Sequence, residues 1–176
     1  GLEPHYGCCT ANFNQGWPKF ALSAFMYNDE CVASVLPIPS QLKTKDISIT
    51  LETNYPFENT MTYKINAEKD FTFKVRIPSF AQNLAVNCIG AGCEKDGEKL
   101  NVNEAEELCF RIIAGETEIN VAFETTPYFR KRPHELNAVQ CGSLLFSVPI
   151  SYDKKISEYE REGVERKFPY CDYEFI

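Results

Sequence analysis

Between positions 46 and 77 the apolar residues fall on every second position. Ile47, Ile49 and Leu51 alternate with Ser48, Thr50 and Glu52; Met61, Tyr63, Ile65 and Ala67 follow the same period, as do Phe71, Phe73, Val75 and Ile77. Successive side chains of a strand point to opposite faces, so each segment has one apolar face that must be covered. Asn54-Tyr55-Pro56 and Glu68-Lys69-Asp70 supply turn residues between the segments. Further strands are expected at 31–36, stopped by Pro37-Ile38-Pro39, and at 84–88, 100–102, 108–113 and 116–123. The continuous apolar run 144–148 predicts a strand in the middle of a sheet. The charged stretch 153–167 predicts an exposed loop or short helix, with a last strand from Tyr170. Many short strands at this spacing mean a mainly β chain, an antiparallel β-sandwich or jelly roll.

Ahead of the strands the period differs. Phe13, Trp17, Phe20, Ala21, Ala24 and Phe25 recur at helical spacing, and Pro18 suits a first helical turn. The spacing predicts one helix over 18–27, with an irregular lead-in over 10–17 and a stop at Asn28-Asp29. The organisation is therefore a helical piece, residues 1–30, joined to a β-sandwich, residues 31–176. A lone helix needs its apolar face covered, by the sandwich or by other helices. Gly1-Leu2-Glu3-Pro4 at one end and Glu174-Phe175-Ile176 at the other both read as cut, the pattern of a piece of something longer.

With 176 residues, 44% of them hydrophobic, the chain can supply a real core without a disulfide framework. A net charge of −7 argues against a nucleic-acid partner, which needs a basic surface. The one basic cluster, Arg130-Lys131-Arg132 with His134, reads as a solvated loop. No apolar run approaches the about 20 residues of a membrane-spanning helix, and no signal-peptide pattern is present. Of eight cysteines, Cys109 sits within a strand pattern as a buried thiol would, and Cys88 and Cys93 could pair across Gly90-Ala91-Gly92. Mostly reduced cysteines suit a cytoplasmic rather than a secreted setting.

The stretch with most chemistry is Gly7-Cys8-Cys9-Thr10-Ala11-Asn12-Phe13-Asn14-Gln15-Gly16-Trp17-Pro18-Lys19-Phe20. It holds adjacent cysteines, the single tryptophan and several amides. Two neighbouring thiolates near a helix start could be a nucleophile or a zinc-ligating pair, with His5 close by; from spacing alone two inert thiols are the simpler reading. Ser/His/Asp catalysis has little support, since His5 and His134 are the only histidines and no Gly-x-Ser-x-Gly is present.

This stretch resembles the Cys-Cys-x-x-Asn segment of the β-L-arabinofuranosidase family, glycoside hydrolase family 127 and its relatives. Thr53-Asn54-Tyr55-Pro56-Phe57, Phe71-Thr72-Phe73-Lys74-Val75-Arg76-Ile77-Pro78-Ser79-Phe80 and Val139-Gln140-Cys141-Gly142-Ser143-Leu144-Leu145-Phe146 resemble its β-sandwich segments. The resemblance implies that residues 1–30 end an (α/α)6 catalytic barrel and that the sandwich is accessory. It implies that Cys8 is the nucleophile of a retaining glycoside hydrolase, that Cys8 and Cys9 ligate zinc, and that the substrate is a β-L-arabinofuranoside or related glycan. The family's other zinc ligands, a Glu and a Cys, and its acid/base Glu lie upstream of the pair, so these 176 residues alone would be inactive. Thr10-Ala11 stands where some members have Pro-Pro, and Tyr6 where some have a further cysteine. The competing expectation is a non-catalytic carbohydrate-binding or structural sandwich, with Trp17, Tyr55 or Phe57 stacking on sugar rings; core packing is the simpler role for those aromatics.

Overall fold

The computed structural model describes residues 7–90, 93–95, 107–149, 151–163 and 169–176. Two short helices come first, α1 (Gly7–Phe13) and α2 (Gly16–Leu22). Then follow β1 (Phe25–Tyr27), β2 (Cys31–Ser34), β3 (Ser40–Lys43), β4 (Ile47–Thr53), β5 (Thr60–Ala67), β6 (Phe71–Arg76), β7 (Gln82–Gly90) and β8 (Cys93–Lys95). The remaining strands are β9 (Glu107–Ile112), β10 (Gly115–Glu124), β11 (Tyr128–Lys131), β12 (Asn137–Cys141), β13 (Leu144–Phe146), β14 (Lys154–Tyr159) and β15 (Tyr170–Phe175). Two five-stranded sheets, in the orders β1-β2-β6-β9-β8 and β3-β4-β5-β10-β7, make the sandwich. Its strand pairs are antiparallel except β2 with β6, which run parallel. A three-stranded sheet, β11-β12-β13, and a hairpin, β14-β15, complete the described strands. The chain divides into two compact units, Gly1–Leu145 and Phe146–Ile176.

The period-two segments do what their alternation requires. Ile47, Ile49, Leu51, Met61, Tyr63 and Ile65 of one sheet are buried, and so are Phe71, Phe73, Val75, Leu108, Phe110 and Ile112 of the other. Each large side chain taken from water in this way contributes roughly 1.5–3 kcal/mol. Aromatic rings tie the layers together. Tyr63 meets Phe73 edge-on across the sandwich with ring centroids 5.1 Å apart, and Phe73 also contacts Phe71 and Phe110. The buried Tyr63 hydroxyl is 3.0 Å from the Ser34 hydroxyl of the facing sheet, which satisfies both groups. Burial pushes the Tyr63 phenol up to about 12, and the Ser34 hydrogen bond opposes that rise.

The sheet joins its neighbours closely at Gly90. Its φ of +127° is strained for any other residue, and a Cβ there would collide with the Glu116 carbonyl oxygen of β10.

Several expectations need correction. The helix read over 18–27 ends at Leu22: the Ser23 N–H donates to the Lys19 and Phe20 carbonyls, and Phe25–Tyr27 is a strand paired with β2. Asn28 does not stop a helix. Its side-chain oxygen accepts from the Glu30 and Cys31 N–H groups and closes the β1–β2 turn. Ala24 and Phe25 fit both a helical and a two-residue period, and strand pairing decides between them. The lead-in over 10–17 is also mostly helical, so two short helices replace one. The run 144–148 is not a central strand. Leu144–Phe146 lies at the edge of its sheet, folded back by a turn in which Gly142 has φ +57°, and Leu145, Phe146 and Val148 are exposed. In the charged stretch 153–167, Lys154–Tyr159 is the strand β14 rather than a loop or helix, its partner β15 runs to Phe175, and residues 164–167 lie outside the described residues. Arg161 over the Tyr170 ring, Lys154 over Tyr173, and stacked Tyr159 and Tyr170 hold this hairpin. Strands β3, β11 and β12 were not expected. The strand read over 100–102, the turn at Ala91-Gly92, and His5 and Tyr6 lie outside the described residues.

Two outcomes test this core. Phe110→Ala should cost about 3–5 kcal/mol in chemical denaturation, because it opens a cavity between the layers. Tyr63→Phe should cost about 1–2 kcal/mol by leaving the Ser34 hydroxyl unpaired. The phenol pKa is raised in the folded chain, so its contribution is complete below its ordinary 10.0 and is lost as pH climbs towards about 12. The alkaline fall in stability within that window should therefore be shallower in Tyr63→Phe than in the parent; equal slopes would contradict the assigned burial.

Candidate functional site

Cys8 and Cys9 lie in the first turn of α1, and both are exposed. Their Sγ atoms are 3.7 Å apart. A tetrahedral zinc with Zn–S bonds of about 2.3 Å holds two sulfurs about 3.8 Å apart, so the pair is spaced as two ligands of one ion would be. Among the described residues no group of three His, Cys, Asp or Glu side chains converges to hold a metal. The pair thus offers two soft ligands, where a closed structural site asks for four.

A ladder of polar side chains runs from this turn along both helices. The Asn12 amide donates to the Cys8 carbonyl at 2.7 Å, the Gln15 amide donates to Asn12 Oδ1 at 2.6 Å, and Lys19 Nζ donates to Gln15 Oε1 at 2.9 Å. The Gln15 N–H also donates to the Asn12 carbonyl across the junction between the helices. These side chains stand three or four positions apart, the spacing that places residues on one helical face. The amides were visible in the sequence as a polar cluster; the 8, 12, 15, 19 spacing was the signal that they form one ladder.

The aromatics separate into two groups. Tyr55 is half-buried beside Phe123, its hydroxyl 2.6 Å from Ser143 Oγ, so it packs against the core. Trp17 is 73% and Phe57 83% exposed, and Trp17 meets Phe20 edge-on. An apolar cleft of about 330 Å³ lies where Phe20 of α2 faces Leu36, Ile38, Tyr55 and Phe80 of the sandwich. The structure does not gather Trp17, Tyr55 and Phe57 into one stacking platform along this cleft; of the three, Tyr55 alone lines it.

The other cysteines follow the sequence in part. Cys88 is disulfide-bonded. The side chain of Cys93, its expected partner, lies outside the described residues. Cys109, in β9, is a half-buried thiol rather than a fully buried one. The basic cluster is exposed, with Arg130 and Lys131 in β11.

Residues 32–108 match the family model described as the β-L-arabinofuranosidase, GH127 middle domain. Among curated proteins, none matches the chain. Solved structures that share its fold include three glycoside hydrolases. The GH127 β-L-arabinofuranosidase Ara127N-Se from Geobacillus stearothermophilus T6 is 15% identical with a TM-score of 0.58, over 97% of this chain and 34% of that one. A glycoside hydrolase is 15% identical with a TM-score of 0.59, over 95% of this chain and 35% of that one. The GH127 β-arabinofuranosidase BT3674 is 20% identical with a TM-score of 0.56, over 88% of this chain and 30% of that one. The chain spans about a third of the length of these structures.

Exposure makes a direct prediction for the thiols. Brief labelling of the native chain with a thiol reagent, read by peptide mass, should modify Cys8 and Cys9 before the half-buried Cys31, Cys141 and Cys171. Cys88 should stay unlabelled until a reductant is added. Labelling of Cys8 and Cys9 no faster than the others would contradict their placement on an open helical turn.

Proposed function

We propose, from the match of residues 32–108 to the family model of the β-L-arabinofuranosidase GH127 middle domain, that the chain is part of a retaining glycoside hydrolase acting on β-L-arabinofuranosides or related glycans. The observation that carries the reading is the 3.7 Å separation of two exposed thiols just upstream of this domain. In this reading residues 1–30 close a helical catalytic domain and the sandwich is its accessory domain. The exposed apolar residues Phe13, Trp17 and Leu22 then face the rest of that helical domain. Cys8 and Cys9 would hold zinc together with a Glu and a Cys of a longer parent, and the ion would supply positive charge beside both sulfurs.

The Cys8 thiolate attacks the anomeric carbon, forming a C–S bond as the bond to the leaving oxygen breaks. A carboxylic acid from the parent protonates that oxygen. Water then attacks the same carbon, its proton returns to the carboxylate, and the C–S bond breaks to regenerate the thiolate. Two inversions give net retention. The Asn12 bond to the Cys8 carbonyl holds the turn from which the thiol projects. In this reading the acid/base carboxylate comes from the longer parent, so these residues alone are inactive.

The test uses the full-length parent and an aryl β-L-arabinofuranoside. Cys8→Ala should lower kcat by at least about a thousandfold, the scale on which loss of a covalent nucleophile acts. Asn12→Ala should lower it less while leaving the fold intact. Turnover by Cys8→Ala close to that of the parent would overturn the role of Cys8.

A further inference from the structure

The face of the second sheet turned away from the core carries a feature that the cysteine chemistry does not use. Strands β4, β5, β10 and β7 form there a groove of about 550 Å³, within the size range of small-molecule clefts. Strand register builds its lining. Thr50, Lys64, Glu118 and Ile89 stand directly opposite one another as a row across the four strands. Ser48, Asn66 and Glu116 form the neighbouring row. Rows two residues apart are about 7 Å apart and strands about 4.8 Å apart, so polar groups repeat on a grid of sugar-ring dimensions.

An outward sheet face is polar in many antiparallel sandwiches; this one is a shallow, open depression whose lining mixes polar and apolar groups. Lys64 and Asn66 donate, Glu116 and Glu118 accept, and the Ser48 and Thr50 hydroxyls do either. Lys64 is held by Glu52 at 2.7 Å, and Glu118 accepts from the Asn120 amide at 2.9 Å. These bonds fix the direction of both charged heads and leave further donor and acceptor capacity at each. Ile89, 58% exposed at the end of its row, adds an apolar patch. Two carboxylates against one ammonium in the lining disfavour a polyanion. A neutral ligand with many hydroxyls fits the set, because each hydroxyl can both donate and accept.

We propose that this groove is a binding site for neutral oligosaccharides, separate from the cysteine pair. It retains a chain of substrate against the accessory domain without chemistry. The proposal does not depend on Cys8, and a Cys8→Ala chain binds unchanged.

The experiment is an amide NMR titration of the chain with arabinohexaose and, separately, cellohexaose at millimolar concentration. Shifts at Thr50, Lys64, Asn66, Ile89 and Glu118 with at least one of the two are expected. Lys64→Met and Glu118→Gln, which keep side-chain volume on an exposed face, should each weaken binding about tenfold or more, with circular dichroism unchanged. No shift on this face with either sugar would overturn the site. So would shifts confined to Phe20, Tyr55 and Phe80, or full affinity in both variants. Because the readout is binding by a chain that need not turn over, failure here leaves the hydrolase reading standing, and failure of Cys8 leaves this one standing.

Discussion

The contact of Tyr63 with Phe73, closed by the Tyr63–Ser34 hydroxyl pair, is the point on which the two sheets depend. Tyr63 comes from β5 and Phe73 and Ser34 from β6 and β2, so one aromatic edge and one hydrogen bond register opposite layers at once. The rest of the core packs outward from there, through Phe110 and Leu108 on one side and Ile49, Leu51 and Met61 on the other. A hydroxyl pair inside an apolar layer is expensive when broken and specific when made. It fixes which face of β5 looks inward, and with it which face of that sheet is left for solvent or ligand.

That inward choice has two consequences for function. Lys64 and Asn66, alternating with Tyr63 and Ile65, are placed outside together with Glu116 and Glu118 of β10, where they line the outer groove. At the edge of the other sheet, β1 pairs with β2 and so anchors the end of α2, one residue after Ala24 enters the core. The helical turn carrying Cys8 and Cys9 reaches this strand through the rest of α1 and the exposed helix α2.

How much of this was legible depended on whether the signal lay in one segment or in a pair. The alternation in β4, β5, β6 and β10 is a property of each strand, and the core residues named from it are the buried ones. The hairpin β14–β15 is a property of two strands, because its cation–aromatic and stacking contacts join residues that look merely charged or aromatic alone. Leu144–Phe146 misled for a related reason: an apolar run records what side chains prefer, while exposure is set by whether another layer arrives. At the cysteine pair, the residue types and the resemblance of the flanking stretch drew attention to Cys8 and Cys9, and the structure adds their separation and the Asn12 tether. Ligands that complete a metal site need not be near the pair in sequence, so spacing alone offered no way to name them. The outer groove was invisible because it arises from register between β4, β5, β10 and β7.

The central proposal is that Cys8 and Cys9 are ligands of one zinc ion in a longer parent protein. Its most direct measurement is zinc content of the purified full-length parent together with zinc X-ray absorption, beside the Cys8→Ser and Cys9→Ser variants. The account predicts near-stoichiometric zinc with sulfur scatterers at about 2.3 Å, and loss of sulfur scattering in each variant. A parent without zinc, or with zinc whose sulfur shell is unchanged in both variants, would contradict it.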